Sequence, residues 1–480
     1  MEKEYYNTLL NYIICNIFDI PNFYDDEYII KSMPSKNIFG VFVSIKRSSY
    51  QALNDFPYNI HGCIGKYDLS FKIMSNNDIF YNLLNVSKSA IIEDNRRTYF
   101  KKDLIHDAEA SIEISLMKNT IYDINPNTGY IFKKKETFNN SKYGIIAMNA
   151  LKNKTATFLP NVFDNISWDN IKNYILEKSN ISIEEEPTFV AYTIDKYEKK
   201  LIDLLEPNYI NSIFFKIGDF FNKNYNNEIP YAILRDGDKF FIHINDEDDI
   251  RNIATLKDLT DMNNIRPILN KKIINNINND ITKYNKKFEE NKLIKNALSF
   301  LKIINNDKKI SKNICKELLN NLNNMERNFE LGQALIALVN CGNKEEIKNN
   351  LKDMYNELFN KTSFNIDDIY RINWQTKALL SHTNKDLKHL NLLSNALITV
   401  LTKYNHPLHT LETNQLAVCF ECLSSIKKVD KNNNDLNNIL FIIFILLQQR
   451  FSKFGLYMFS DNTARVDITG HCIQGFLQYY

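Results

Sequence analysis

Two periodicities share the first two hundred residues, and one of them dominates the rest. "GVFVSIKR" from Gly40 sets Val41, Phe42 and Val43 in succession, the pattern of a strand covered on both faces. "SIEISLM" alternates instead, with Ile112, Ile114 and Leu116 on one side and Ser111, Glu113 and Ser115 on the other, which predicts a half-buried strand. In "ISWDNIKNYILEK", Ser167 stands where a helix cap belongs, and Trp168, Ile171 and Ile175 fall on one helical face. Interspersed strands and helices predict an α+β class for residues 1–200. From about residue 200 helix follows helix. The exception is "YAILRDGDKFFIHI", where Asp236-Gly237 between two apolar runs predicts a hairpin. "ALVNCGNKEEIKNNLKDMYNELF" from Ala337 and "ALLSHTNKDLKHLNLLSNALITVL" from Ala378 are offset by 41 residues. Each ends a helix, turns at Asn-Lys before an acidic residue and starts another helix. "ECLSSIKKVDKNNNDLNNILFIIFILLQQ" from Glu421 is a looser third copy, so stacked helical hairpins are expected. Residues 201–480 therefore read as a second, all-α domain, separable near Pro207 in "DLLEPNYIN".

A chain of 480 residues exceeds what one hydrophobic core organises, which agrees with two domains. Its 59 basic and 57 acidic residues leave a formal charge of +2, no excess for a phosphate backbone or an anionic bilayer, so neither nucleic acid nor membrane is expected as a partner. The longest apolar run, Ile439 to Leu447, is about half of the roughly 20 residues that a spanning helix needs and reads as a helix buried on all sides. "MEKEYYNTLL" lacks the succession of a signal peptide, and seven scattered cysteines do not make a disulfide framework; both point to the cytoplasm. The abundant Asn, Ile and Lys, as in "NKKIINNINND", read as codon bias acting on surface positions and carry no functional weight. No Gly-rich phosphate-cradling motif is present, and no cofactor is expected. Cys419 and Cys422 have zinc-like spacing but lie in an apolar helical run without a second pair; they read as core, and no metal is expected. His406 and His409 sit in a proline-bearing loop and read as a solvated turn.

The sharpest chemistry lies in "YNIHGCIGKYDLS", where Gly62 and Gly65 flank Cys63 in a chain with only 12 glycines. Glycine serves where backbone turns sharply or another group approaches closely, so an accessible thiol is expected. His61, Lys66, Arg96 and Arg97 are placed to supply the positive field that favours thiolate. His61 and Cys63 share a strand face at i and i+2, but roughly 6.5 Å between their Cα atoms is long for direct proton transfer. His61 is thus expected as an electrostatic neighbour. The bland alternative is a small residue fitted between close strands.

In this order along residues 1–200, the motifs resemble the AMMECR family. "GVFVSIK" is similar to its glycine-led strand, "IHGCIG" to its Leu-Arg-Gly-Cys-Ile-Gly signature and "EDNRRTYF" to its Asp-Pro-Arg-Phe segment. "IEISLM" and "KYGIIAM" follow, and "TATFLPNVFDNISW" resembles its Leu-Pro element ahead of a tryptophan-initiated helix. His61 stands where the family has arginine, and Tyr143 where it has histidine. The resemblance implies an α+β domain whose Gly-Cys signature lines a cleft. Cys63 and His61 become the catalytic candidates, and Gly62, Gly65, Lys66, Arg96 and Arg97 the binding ones. It also implies a protein or peptide partner, with Memo-type and radical S-adenosylmethionine proteins as associates.

The helical region more loosely resembles an α/α toroid of the kind found in six-hairpin glycosidases and terpenoid cyclases, whose sites lie in a central cavity. "FGLYMFSDNTARVDITGHCIQGFL" puts Arg465, Asp467 and His471 ahead of a final helix, and Glu412 lies near a helix start. Asp467 and His471, four apart, share a face if that segment is helical. Paired carboxylates would suit glycosidic acid/base work; otherwise Asp467 caps the helix and His471 packs. Three functions stay open: an enzyme acting on a peptide or small metabolite at Cys63, a non-catalytic binding or scaffold protein, and a saccharide-active toroid with an accessory first domain.

Overall fold

The structure is a computed structural model of the 480-residue chain. It describes residues 2–34, 36–47, 60–94, 104–149, 151, 153–163, 166–226, 229–236, 239–244, 250–291, 315–316, 318–320, 322, 329–338, 349–350, 352–353, 356, 368–382, 410–430, 433–460 and 462–480. The chain divides into two compact units, Met1–Leu201 and Ile202–Tyr480.

The first unit is built on β1 (Ile38–Lys46), β2 (Ile60–Tyr67), β3 (Ser111–Asp123), β6 (Gly144–Asn149), β7 (Lys154–Phe158) and β8 (Thr188–Lys200). They form a six-stranded sheet in the order β2-β1-β3-β8-β6-β7, antiparallel throughout. The short pair β4 (Tyr130–Ile131) and β5 (Glu136–Thr137) lies outside it. Helices α1 (Glu2–Phe18) and α3 (Asn76–Ile92) pack on one face, while α2 (Asp26–Ser32) packs on those helices. Helix α4 (Trp168–Ser179) covers β6 and β7 and starts as its sequence implies, the Ser167 hydroxyl accepting from the Asn170 N–H.

The sheet curls. Its outermost strands are β2 and β7, yet the Tyr67 hydroxyl and Thr155 Oγ1, one from each, lie 3.1 Å apart across the face opposite the helices. This concave face is filled at one end by Phe39, Phe42, Met117, Ile146, Leu159, Val190 and Tyr192. The alternation in "SIEISLM" therefore has a different outcome from a half-buried strand. Ser111, Glu113 and Ser115 are buried like Ile112, Ile114 and Leu116, because the curl encloses the polar face as well.

The second unit is largely helical. Its principal described helices are α5 (Pro207–Asn224), α6 (Ile250–Ile265), α7 (Lys271–Asn291), α8 (Phe329–Ala337), α9 (Asp368–His382), α10 (Thr413–Val429), α11 (Asn434–Gln449) and α12 (Val466–Leu477). Helices α10 and α11 form the hairpin expected from Glu421, and residues 439 to 447 of α11 are buried except Leu446. The turns of the other two copies lie outside the described residues. An all-α reading misses a four-stranded antiparallel sheet, β10-β9-β12-β11. The expected hairpin supplies β9 (Pro230–Asp236) and β10 (Lys239–Ile244). A second hairpin, β11 (Tyr457–Ser460) and β12 (Thr463–Arg465), joins it through Ala464 opposite Ile233. Short alternation in "YMFSDNTAR" carried that signal. Among the described residues, no helix is long and apolar enough to cross a membrane. Among the described residues, Cys15, Cys63, Cys419, Cys422 and Cys472 carry free thiols, whereas Cys315 is disulfide-bonded, which the scattered cysteines did not announce.

Candidate functional site

Register lines up the chemistry on the concave face. Ser44 of β1 stands opposite Cys63 of β2 on one side and Glu113 of β3 on the other, and Glu113 stands opposite Glu198 of β8. Cys63, Ser44, Glu113 and Glu198 are thus a row across four strands, with side chains on one face. The Ser44 hydroxyl lies 3.1 Å from Cys63 Sγ. Glu113 is 5% exposed and its carboxylate accepts from Lys46 Nζ at 2.7 Å and from Ser115 Oγ, with Lys196 Nζ at 3.4 Å. Lys46 reaches a second carboxylate, Glu198, at 2.9 Å. Burial disfavours the charge on both Lys46 and Glu198, but the hydrogen bonds outweigh it. Lys46 is held above the usual ammonium range by Glu113 and Glu198, and Glu198 below the usual carboxylate range by Ser111 and Lys46. Cys63 sits at the junction: it also packs against the apolar cluster that closes the other end of the curl. The row meets solvent through Lys46, Lys196 and Glu198, whose side chains are 32%, 33% and 43% exposed.

The room left by the two glycines is taken by the protein. A Cβ on Gly62 would lie 1.9 Å from the Ala90 carbonyl oxygen at the end of α3, where the Asp94 carboxylate accepts the Cys63 N–H at 2.7 Å. A Cβ on Gly65 would enter the Phe42 ring, 2.2 Å from Cδ1. His61 is buried in the bulge where β1 and β2 lose register, and the Arg47 guanidinium lies 3.3 Å from its Nδ1. Since a guanidinium only donates, that nitrogen is an acceptor there. Lys66 is exposed, one residue out of phase with Cys63, and its charge acts on Asp78 at the start of α3. Arg96 and Arg97 lie outside the described residues. Tyr143 belongs to a separate core cluster, which includes Ile171 and Ile175 of α4. Its hydroxyl donates to Glu136 at 2.7 Å, and burial together with that carboxylate pushes the phenol up to about 12.

In the helical unit the expected cavity residues have separate partners. Glu412 is exposed at the N-cap of α10, where its N–H donates to Gln415 Oε1 at 3.0 Å. Asp467 is paired with Arg465 through both carboxylate oxygens, at 2.9 and 2.5 Å. His471 lies in the same helix, but its Nδ1 is 2.8 Å from Glu421. The Cys419 and Cys422 thiols are buried in α10, where burial pushes Cys422 up to about 12. Among the described residues, no three His, Cys, Asp or Glu side chains are placed to hold a metal ion. His406 and His409 lie outside the described residues.

The curled antiparallel sheet, the cysteine on its edge strand and the tryptophan-led helix coincide with one family model, AMMECR1, which matches residues 22–200. That stretch is an AMMECR1 domain. No curated protein matches the chain. Among solved structures, an uncharacterized protein, PH0010 from Pyrococcus horikoshii, is similar at 14% identity, with a TM-score of 0.27, over 40% of this chain and 91% of that one. The sequence singles out Cys63 as a candidate but not its neighbours in the structure, Ser44, Lys46, Asp94, Glu113 and Glu198. A glutamate amid β-branched neighbours was the available signal, since Glu is depleted in strands unless the fold uses it.

Proposed function

We propose that the AMMECR1 domain is a thiol-dependent enzyme whose site is the polar half of the concave face, acting on a peptide or small metabolite. The observation that carries the reading is the cross-strand row in which Cys63 Sγ lies 3.1 Å from the Ser44 hydroxyl beside the buried Glu113 and its partner Lys46. Buried, hydrogen-bonded ionisable groups on an enclosed face next to a nucleophile are what a site needs and a mere packing surface does not. In this reading the Cys63 thiol loses its proton to solvent and the thiolate attacks the carbonyl carbon of an ester or amide. The C–O or C–N bond breaks, the alcohol or amine leaves with a proton from water, and water hydrolyses the thioester to restore the thiol. The Ser44 hydroxyl, donating to the sulfur, orients it. Lys46, steadied by two carboxylates, supplies positive charge to the developing oxyanion. Arg47, held against the His61 ring, supplies the positive charge beside this end of the strand. The α10–α11 hairpin supports a toroid of such hairpins for the helical unit, in which case that unit is a second, separately folding domain.

The test is acyl transfer. Incubating the full chain with p-nitrophenyl acetate and measuring intact mass and peptides should place a transient acetyl group on Cys63, which Cys63→Ser removes. An adduct that forms and never turns over would favour the non-catalytic binding reading. Acetylation that ignores Cys63 would end the proposal.

A further inference from the structure

The helical unit carries a group of polar side chains that the AMMECR1 domain does not explain. Helices α9 and α10 run side by side in parallel: Asn414 Nδ2 donates to the Tyr370 hydroxyl at 2.7 Å, and seven residues further along each helix Lys377 pairs with Glu421. Glu421 is only 2% exposed, and its other oxygen accepts from His471 of α12 at 2.8 Å. Trp374 meets the His471 ring edge-on with centroids 6.5 Å apart, and Lys377 Nζ lies 4.6 Å above the Trp374 ring. Asn373 falls between Tyr370 and Lys377 on this same face, three residues after one and four before the other. Its side chain is wholly buried, yet neither Nδ2 nor Oδ1 has a hydrogen-bond partner among the described residues. An amide shut away from water without partners costs about 1–3 kcal/mol per group, so a buried Asn is ordinarily satisfied or kept for a ligand.

We propose that Asn373, Trp374 and His471 form a binding site for a small molecule bearing a primary carboxamide. A carboxylate cannot donate, so His471 Nδ1 carries the hydrogen toward Glu421, and in the proposed site Nε2 is the ring nitrogen that accepts from the ligand. Asn373 adds one acceptor, Oδ1, and donors at Nδ2. A primary carboxamide answers this set with two N–H donors and one carbonyl. A carboxylate offers acceptors alone and an ammonium donors alone. Lys377 and Glu421 neutralise each other, which leaves no surplus charge to select an ion, and the Trp374 indole provides a wall for the apolar part of the ligand. The Glu421–His471 pair acts here as a positioning device, fixing the tautomer.

The proposal is tested on the full chain with Trp168→Phe, so that Trp374 is the one indole, using benzamide as probe against benzoate and benzylamine. Benzamide should change the Trp374 emission saturably and slow diethylpyrocarbonate modification of His471 at least fivefold. Asn373→Leu should weaken binding at least tenfold without lowering the melting temperature, because it removes the unpaired amide. His471→Phe, read by calorimetry, should weaken it similarly and serves if the leucine variant fails to fold. Equal binding of benzoate or benzylamine, binding that survives either substitution, or no binding by benzamide, as when Asn373 holds an ordered water only, each overturns the proposal.

Discussion

Gly62→Ala separates two reasons for a glycine beside Cys63, close approach of a ligand and close approach of the protein. The added Cβ would sit 1.9 Å from the Ala90 carbonyl oxygen and 3.4 Å from Asp94 Cβ. The first atom is helix backbone and cannot swing aside, so strand β2 and the end of α3 must separate. Overpacking of this kind costs about 1–3 kcal/mol. The same separation stretches the 2.7 Å hydrogen bond from the Cys63 N–H to Asp94. A bond to a charged acceptor is worth roughly 1.5–3 kcal/mol. The expected loss is therefore about 2.5–6 kcal/mol, or roughly 1.3–3 M in urea midpoint for a slope near 2 kcal/mol per M. The chain has two tryptophans, Trp168 in the first unit and Trp374 in the second, so Trp374→Phe leaves fluorescence that follows the AMMECR1 domain. Urea titration of this chain with and without Gly62→Ala gives the difference. A change under 0.5 kcal/mol would refute the packing argument and return Gly62 to the ligand.

Other consequences follow from the same sheet. Tyr67→Phe removes the bond that joins the two edges of the curl and should cost about 0.5–1.5 kcal/mol by the same titration; no effect would mean that the curl is held by the apolar cluster alone. Lys46→Met leaves the buried Glu113 with Lys196 and Ser115, and should cost about 1–3 kcal/mol at pH 7, below the figure for a fully buried pair because Lys46 is partly exposed. The pH dependence has a definite sign. Glu198, depressed in the folded state, stabilises above its unfolded value near 4.3 and loses that contribution as pH falls through the folded one. Lys46, raised, stabilises below about 10.4 and loses its contribution as pH rises through its folded value. The stability gap between native chain and Lys46→Met should thus be flat from about pH 5 to 10 and narrow on either side. A gap unchanged at pH 3 would contradict the pairing.

Local pattern carried much of this fold and little of the site. The Ser167 cap, the Trp168 face and the buried run of α11 follow from neighbours in the chain, and sequence shows such neighbours directly. The row Cys63, Ser44, Glu113, Glu198 comes from four strands, and only register places those residues together. Alternation told which side Glu113 takes but not that the sheet curls over that side. In the helical unit, Asp467 and His471 share a helix as their spacing implies, yet Glu421, fifty residues earlier, decides what His471 does. The hairpin at Tyr457–Arg465 was missed because strands of three or four residues barely display a period.

The central claim is that Cys63 lines a reactive, enclosed polar face, and alkylation tests it most directly. The full chain is treated with iodoacetamide at pH 7.5, quenched over time, and each cysteine quantified by mass spectrometry. Cys15, Cys419, Cys422 and Cys472 are buried, and burial holds Cys419, Cys422 and Cys472 in the unreactive thiol form. Cys63 should react at least tenfold faster than these four, and Lys46→Met should slow it by removing a fixed positive charge of the row. If Cys63 reacts as slowly as the buried four, or if Lys46→Met leaves its rate unchanged, the row is packing and the enzymatic reading fails.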